Sequence, residues 1–346
     1  MQKLTHKFFA NTVLLGFFLF FSNSSYSQLA QQLQDIGNLL NDAVFISDRY
    51  FTPATDAAVY QESSNWMSSP KVRKLWSFTL SAHGNIFFVP NRDRNFDISN
   101  SNLKFFTLQD KDHNPISNST VPSALGPKSY TRLVGQIGTS PVSVWSPDGI
   151  NENYVTYPYL QGSLGLWKGT EIMGKFSTKV NLSKGKYQVY GFGIKHNVSQ
   201  YFTFLKRNKI NLAFLGGYSK EEIGFDFLDI QTDYGNLGLN QITGHVKTSQ
   251  IQVSISKEFK RFEVMTSFIT NKSDFTYDVS GPKGAIENII PLQDIVNIKL
   301  QEINKTKVNA MGELSCRYRI SKLFLQSSIA FGKFVNSNVS LQYEFN

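Results

Sequence analysis

The one serine that resembles a nucleophile is Ser163, in the glycine-rich run Gln161-Gly162-Ser163-Leu164-Gly165. A nucleophile elbow needs glycine two places before the serine and a strand-to-helix turn. Gln161 occupies that glycine position, so the run fits a glycine-rich strand better. A surface lipase with a Ser–His pair stays an alternative, although nothing in the sequence selects the pair. We predict that the protein is not an enzyme.

Metal-ligating residue types are present without metal-ligating spacing. The aspartate pairs Asp93/Asp97 and Asp110/Asp112 could offer oxygens to Ca²⁺, but neither has the EF-hand pattern. The histidines after residue 27 lack a spacing such as His-Glu-x-x-His. These histidines are His83, His113, His196 and His245. We therefore expect no metal and no cofactor.

Charged residues recur on one side of a strand-like stretch near the chain end. Glu313, Arg317 and Arg319 alternate there with apolar residues. Three charges on one face suit a water-filled interior better than a packed core. They could equally form a structural ion-pair network. Strand phases place the following candidates toward the interior: His83, Glu171, Lys175, Gln250, Gln252, Glu263, Glu313, Arg317 and Arg319.

Strands are the elements that would carry these side chains, because the chain has a period of two from Leu75 onward. The predicted count is about ten, an even number as single-chain bacterial barrels require. The predicted strands are Leu75–Phe88, Tyr157–Trp167, Thr170–Val180, Lys186–Ile194, Lys209–Tyr218, Gly244–Lys257, Phe262–Tyr277, Val308–Ile320, Leu323–Phe334 and Asn338–Asn346. Weaker runs at Leu103–Leu108 and Ile223–Asp229 could raise the count to about twelve.

Connection lengths orient this barrel, since outer-membrane barrels have short periplasmic turns and long outer loops. With Leu75 on the periplasmic side, long outer connections alternate with tight periplasmic ones. The long ones are Pro90–Thr156, Ser219–Thr243 and Val279–Thr306, and the tight ones are Lys168–Gly169, Glu258–Arg261 and Ser321–Lys322. Three connections deviate: His196–Asn208 is long, and Asn181–Gly185 and Val335–Ser337 are short.

The last strand is the expected closing strand of the barrel. Its apolar face consists of Val339, Leu341, Tyr343 and Phe345. Bacterial barrels commonly end on such a strand with a terminal aromatic residue, which the assembly machinery recognises. Here Phe345 is penultimate and Asn346 is last, a small departure. An edge strand of a soluble sandwich is the alternative.

The first 27 residues have the layout of a secretory signal peptide. Lys3 and Lys7 precede the apolar run Phe8–Phe21, which is short for a membrane span, and the small, polar residues Ser22–Ser27 follow. The alternative is an N-terminal membrane anchor. Export without a second long apolar run, and with Cys316 as the one cysteine, favours a barrel in the cell outer membrane.

Residues 28–74, the N-terminal segment, are predicted to begin as a helix. The apolar residues recur at spacings of three and four. These are Leu29, Leu33, Ile36, Leu40 and Val44. A linker of small and polar residues, Thr52–Pro70, follows. Because a barrel of about ten strands is narrow and the helix needs a cover, we predict a plug inside the barrel; a periplasmic docking segment is the alternative.

The basic excess does not indicate a nucleic-acid partner. The formal net charge is +9, but the cations are scattered, with two short clusters at Lys71–Lys74 and Lys206–Lys209. We expect them to face the lumen and lipid head groups. The expected partners are outer-membrane lipid, the barrel assembly machinery and a small hydrophobic ligand.

Four stretches resemble an uncharacterised family of Gram-negative outer-membrane barrels and, more distantly, the FadL-like transporters of hydrophobic compounds. They are Ser63–Trp66, Phe87–Pro90, Gly162–Glu171 and Tyr190–His196. The family resemblance covers most of the chain after residue 27. The FadL-like resemblance concerns architecture alone, an N-terminal segment before a barrel, and no ligand-binding residue carries over.

The sequence thus predicts an all-β protein: an antiparallel transmembrane β-barrel over residues 75–346 with an N-terminal helical plug. The expected function is passive passage of small molecules, hydrophobic ones included. The alternative is a non-transporting barrel that displays its outer loops Pro90–Thr156 and Val279–Thr306 for adhesion or partner binding.

Overall fold

Ten antiparallel strands form a closed barrel in the computed structural model, which describes residues 2–182, 185–232, 235–288 and 290–345, with side chains from residue 31 onward except at 182, 232, 286 and 288. The strands are β1 (Phe78–Phe88), β2 (Tyr154–Gly165), β3 (Thr170–Phe176), β4 (Gly185–Asn197), β5 (Ile210–Asp226), β6 (Gln241–Phe259), β7 (Phe262–Ser280), β8 (Lys305–Ile320), β9 (Leu323–Phe331) and β10 (Val335–Phe345). β10 pairs with β1, with Phe345 opposite Phe78. The predicted barrel and its closing strand pairing are confirmed.

One extra strand, Val180–Leu182, pairs with β4 beyond the end of β3. The two weaker runs add no strand to the barrel, so that part of the prediction was wrong. Ile223–Asp229 is mostly the continuation of β5, and Leu103–Leu108 supplies only the start of the loop strand Thr107–Gln109. Both runs are short and apolar because they pack under loops, a pattern that periodicity does not distinguish from a barrel strand.

The barrel strands alternate between an exposed apolar face and a buried polar face. In β1, Phe78 and Leu80 are exposed, whereas Thr79 and Ser81 are buried. In β10, Val339, Leu341, Tyr343 and Phe345 are exposed, and the intervening Ser340 and Gln342 are buried. Successive side chains of a strand point to opposite faces, so the apolar set surrounds the barrel and the polar set lines its interior.

The two ends of the barrel differ in their connections. At one end, which we call the short-turn end, residues 260–261 and 321–322 make two-residue turns in which Lys260 and Ser321 adopt positive φ, as tight hairpins require. Two other connections there contain the 3₁₀ helix Trp167–Gly169, and the 3₁₀ helix Ser199–Tyr201 followed by α2 (Thr203–Arg207). At the opposite, long-loop end, the described residues of 89–153, 227–240 and 281–304 form long loops.

The long loops fold into an ordered cap. The first contains strands Asn95–Ser99, Thr107–Gln109, Pro115–Ile116, Asn118–Pro122, Arg132–Ile137 and Ser140–Trp145, with 3₁₀ helices Asn91–Asp93 and Asn100–Asn102. They form one two-stranded and one four-stranded sheet. The other loops contain the strand pair Gln231–Thr232 and Gly235–Asn236, the 3₁₀ helices Ala285–Asn288 and Gln301–Ile303, and α3 (Leu292–Leu300).

The N-terminal helix α1 spans Gln2–Ser63, so it continues through the first part of the predicted linker. Pro53 lies inside it and removes one helical N–H donor, but the alanines at 54, 57 and 58 favour helix and are buried. Tertiary enclosure therefore overrides the proline. In the described part of the chain, none of the helices is long and apolar enough to cross a bilayer.

Candidate functional site

The barrel interior contains residues 54–74, which we call the lumen segment. The last turns of α1 are buried, and Gly244 of β6 lies against Phe51 and Thr55 at the long-loop side. Farther along, Ser63 Oγ accepts a hydrogen bond from Asn271 of β7 at 2.9 Å, and Trp66 O accepts one from Gln161 of β2 at 2.8 Å. The chain therefore enters from the cap and leaves at the short-turn end.

Apolar and aromatic packing holds α1 where it enters the barrel. The Phe51 ring lies edge-on to Phe225 and Tyr277, with ring centroids 5.3 and 5.8 Å apart. Tyr50 packs against Phe225 at 6.4 Å, and its hydroxyl donates to the carbonyl of Asp148 at 2.8 Å. Rings in such edge-to-face pairs stabilise the contact beyond their buried area.

Cap loops also hold the preceding turns of α1 through its polar side chains. The Asp42 carboxylate accepts backbone N–H groups of Lys104, Phe105 and Phe106 at 2.8–2.9 Å. Burial nevertheless raises the pKa of Asp42 above its ordinary value. Asp35 accepts the N–H of Gly138 at 3.1 Å. The cap and α1 therefore form one hydrogen-bonded unit.

Polar wall side chains satisfy the backbone of the lumen segment in the last turn of α1 and just beyond it. Lys175 Nζ donates to the carbonyls of Glu62 and Ser64 at 2.9 and 3.1 Å, and Asn336 donates to the carbonyl of Tyr60 at 3.1 Å. The N–H of Asn65 donates to Glu313 at 2.7 Å. Buried backbone groups need such partners, which explains why the inward faces are polar even though they are packed rather than wet.

Three carboxylates surround one ammonium near the middle of the interior. Lys175 Nζ lies 3.8 Å from Glu62 Oε1, and its charge also interacts with Glu221 and Glu313. Each of these side chains is almost fully buried. Lys175 is thus the counter-charge on which this group depends.

Trp66 fits a recess that two glycines make on the inward face of β4. A Cβ at Gly191 would lie 2.8 Å from the indole, and one at Gly193 would lie 3.2 Å from it. The Lys175 ammonium lies over the same ring at 4.6 Å. Trp66 and the Tyr190–His196 stretch, both noted for their family resemblance, are therefore in direct contact.

An ion-pair network anchors the end of the lumen segment at the short-turn end. Arg73 Nη1 binds Glu344 at 2.7 Å, and Arg317 Nη2 binds the same oxygen at 2.7 Å. Arg73 Nε is 3.2 Å from Glu171, which also pairs with Lys195. Buried charges need partners of this kind because the interior has a low dielectric constant.

Eight of the nine predicted lumen side chains are buried in the interior: His83, Glu171, Lys175, Gln250, Gln252, Glu263, Glu313 and Arg317. Arg319 is exposed, because β8 ends at Ile320 and its inward side opens to solvent at the mouth. The structure brings Lys175 together with Glu313, and Arg317 with Glu263 at 3.6 Å. The wet interior inferred from these charges is instead packed by the lumen segment.

The predicted apolar face of the helix is divided in the structure. Ile36, Leu40 and Val44 are buried under the cap, whereas Leu33 is 48% exposed. The side chains of Leu29 and of residues 1–27, the predicted signal peptide, lie outside the described side chains.

Several residues of the interior were not predicted. Lys195 and Glu221 have the inward phase, but the predicted strands ended at Ile194 and Tyr218, so both fell into assumed loops. Extending the alternation by a few residues would have found them. Glu62 and Arg73 lie in the N-terminal segment, where no strand period marks an inward face.

Ser81, His83 and Asn338 form a hydrogen-bonded chain that has the composition of a nucleophile, a base and an orienting group. His83 Nε2 lies 2.9 Å from Ser81 Oγ, and Nδ1 lies 3.2 Å from Asn338 Oδ1. Ser81 Oγ also donates to the carbonyl of Gln161 at 3.0 Å, and all three residues are buried. A nucleophile needs access to its substrate, and these three residues are enclosed, so we assign them no catalytic role. Ser163 is likewise buried on an inward face.

The aspartates considered for calcium have structural partners. Asp110 accepts the N–H groups of Asp112 and Asn114 at 2.9 and 2.8 Å. The hydrogen bond from the Asn114 side chain lowers the pKa of Asp110. Asp97 accepts the hydroxyl of Thr120 at 2.6 Å. Among the described residues, no group of three His, Cys, Asp or Glu could hold a metal ion.

The family model for the family of unknown function DUF6588 matches residues 1–345. The chain belongs to this family. Membership in DUF6588 confirms the predicted resemblance to an uncharacterised family, while the FadL-like resemblance stays a prediction. No curated protein matches this DUF6588 chain in sequence.

Solved structures similar to this DUF6588 member are outer-membrane barrels. The translocator domain of the autotransporter NalP from Neisseria meningitidis is 8% identical, with 87% of this chain and 96% of that chain covered and a TM-score of 0.30. Ail, the attachment invasion locus protein of Yersinia pestis, is 6% identical, with 78% and 100% covered and a TM-score of 0.28. OprG from Pseudomonas aeruginosa is 9% identical, with 80% and 98% covered and a TM-score of 0.27. At such identities the likeness concerns the fold alone.

Proposed function

We propose that this DUF6588 member is a gated outer-membrane channel for small molecules, in which the lumen segment is the gate. Export by the predicted signal peptide and insertion by the barrel assembly machinery belong to the same proposal. By the connection lengths, the short-turn end faces the periplasm and the cap faces outward.

The observation that carries the proposal is the chemistry of the wall around the lumen segment. Gln161, Lys175, Lys195 and Asn336 hold the segment by donating to its carbonyl groups. Water can replace hydrogen bonds of this kind, and the same side chains remain compatible with water once the segment has moved. An apolar wall would have neither property.

The charges of the wall favour polar solutes over hydrophobic ones. Glu171, Lys195, Glu263 and Arg317 would all face the open passage at the short-turn end. A hydrophobic solute would displace water from these charges as it passed, which is unfavourable. Passage of hydrophobic compounds, as the FadL-like resemblance implies, is the alternative outcome for the same channel.

The experiment is planar-bilayer conductance of the parent and of a variant lacking residues 28–74. We expect small, rare openings in the parent and a steady, larger conductance in the deletion variant. Heat-modifiable gel migration verifies that the deletion variant is still a barrel. If it does not fold, Lys175→Met in the full chain replaces it, because it weakens the same contacts. Folded variants that are as silent as the parent would overturn the proposal.

Liposome swelling separates the two substrate classes. We expect entry of a small neutral sugar in the deletion variant at a rate that falls with sugar size. Uptake of an aromatic hydrocarbon without sugar entry would contradict the polar passage and favour the hydrophobic one.

A non-transporting display barrel is the second candidate function, and the ordered cap favours it. The cap contains two sheets and α3, and α1 closes it from below through Asp42. A permanent cover of this kind suits a surface that binds a partner outside the cell. Silence of both the parent and the deletion variant in the bilayer experiment would support this candidate.

A further inference from the structure

A cavity of about 210 Å³ opens at the short-turn end, where the lumen segment leaves the barrel. The end of the lumen segment, the β6–β7 turn and the last residues of β8 and β10 surround it. Seven cationic and three carboxylate side chains line it, an excess of four positive charges. We propose that this cavity binds a phosphate group.

Three of the cations already have carboxylate partners and form the floor of the cavity. Lys71 pairs with Glu258 at 2.8 Å, and Arg73 and Arg317 share Glu344. The Arg317 guanidinium also lies 3.5 Å from the centre of the Phe324 ring, and its side chain is 6% exposed. This arginine is therefore fixed in position before any ligand arrives.

The other four cations form the rim and supply the uncompensated charge. They are Lys74, Lys260, Arg261 and Arg319, and no carboxylate of the described residues forms an ion pair with them. The backbone holds two of them close together, since the N–H of Arg319 donates to the carbonyl of Arg261 at 2.9 Å. Like charges held this close repel one another, and an anion between them removes the repulsion.

Phosphate suits this site better than a carboxylate does. A phosphate group carries up to two negative charges and several acceptor oxygens, and guanidinium groups bind it through two parallel N–H donors. Arg261 offers one such group, and Arg319, whose charge also acts on Glu258, offers a second. The phosphate could belong to a lipid head group of the facing leaflet or to a free periplasmic solute, and both sources share this chemistry.

The experiment is calorimetric titration of the full-length protein in detergent with pyrophosphate, compared with an Arg261→Gln/Arg319→Gln variant. Both side chains are exposed and unpaired, so the variant should fold normally. Charge-assisted hydrogen bonds of this kind change affinity by on the order of tenfold each. We expect the double variant to bind at least tenfold more weakly, and binding of the parent to weaken at high salt.

The matched control is Lys206→Gln/Arg207→Gln in α2, which removes the same charge at the same end outside the cavity. It should bind pyrophosphate within about twofold of the parent, because distant exposed charges are screened. Absence of binding by the parent, or equal losses in both double variants, would overturn the proposal.

Phosphatidylglycerol and phosphatidylcholine vesicles distinguish the two sources. Reconstituted parent protein whose pyrophosphate binding is competed by phosphatidylglycerol, and not by phosphatidylcholine, points to a lipid head group. Equal pyrophosphate binding in both vesicle types points to a free solute. The readout is binding, so its result is independent of whether the barrel conducts.

Discussion

The cap side and the short-turn side of the N-terminal segment are held by different forces. On the cap side, Phe51 and Leu40 are buried among aromatic and aliphatic side chains. On the short-turn side, Lys175 donates to the carbonyl of Glu62 in the last turn of α1, and Lys195 donates to the carbonyl of Ser69 beyond the helix. Apolar packing is stable but non-directional, whereas the polar contacts are directional and exchangeable with water. The cap side therefore anchors the segment, and the short-turn side is the part that can be released.

Removing the ammonium of Lys175 should have the largest effect on stability and on channel opening. Lys175→Met leaves the buried Glu62, Glu221 and Glu313 without a cation, and breaking a buried ion pair costs about 3–5 kcal/mol. We expect urea titration to show this loss in unfolding free energy, and single-channel recording to show more frequent openings.

The control is Lys179→Met, an exposed lysine that follows the same strand. It should leave both measurements unchanged. If Lys175→Met were as stable as the parent and opened as rarely, these charges would not hold the short-turn side of the segment in place.

Weakening the anchor should lower stability without opening the channel. Leu40 is 3% exposed, so Leu40→Ala should cost roughly 2–4 kcal/mol through lost burial and a cavity. The control is Leu33→Ala on the same helix. Because Leu33 is 48% exposed, this variant should change the free energy of unfolding by less than about 0.5 kcal/mol. Urea titrations of both variants measure the two losses in unfolding free energy. An open channel in Leu40→Ala would contradict the division of the segment into an anchor on the cap side and a gate on the short-turn side.

Filling the recess under Trp66 should have the smallest of the three effects. Gly191→Ala places a methyl group 2.8 Å from the indole, and overpacking of this kind costs about 1–3 kcal/mol. Gly216→Ala on β5 is the control, because nothing lies within 4 Å of its added carbon. We expect a red-shifted tryptophan emission in Gly191→Ala alone, as Trp66 moves toward solvent.

The barrel could be predicted from the sequence because lipid imposes one rule on every strand. An apolar outside and a polar inside give a period of two, and all ten strands carry it. Their ends could not be predicted, because strands continue past the point where their outward face stops being apolar, as at Lys220 and Glu222 of β5. Lys195 and Glu221 lie in these extensions and were missed.

The path of the N-terminal segment could be predicted only in part. The spacing of Ile36, Leu40 and Val44 indicated a helix that needs a cover, but the small and polar residues from Thr52 onward suggested a linker where the helix in fact continues. The contacts of Trp66 with Gly191 and Gly193 depend on residues more than a hundred positions apart. No local pattern encodes such a pairing, so a single sequence could not reveal it.

Single-channel recording of a disulfide-locked lumen segment is the sharpest test of whether this segment is the gate. Ser64 Oγ donates to Asn336 Oδ1 at 3.1 Å, so cysteines at both positions, in a Cys316→Ser background, should bridge the segment to β10. We expect voltage-driven openings in the reduced protein and none after oxidation, with each single-cysteine variant insensitive to oxidation. A fully cross-linked protein that opens as often as its reduced form would show that solutes do not pass where the lumen segment lies. The lumen segment would then not be the gate.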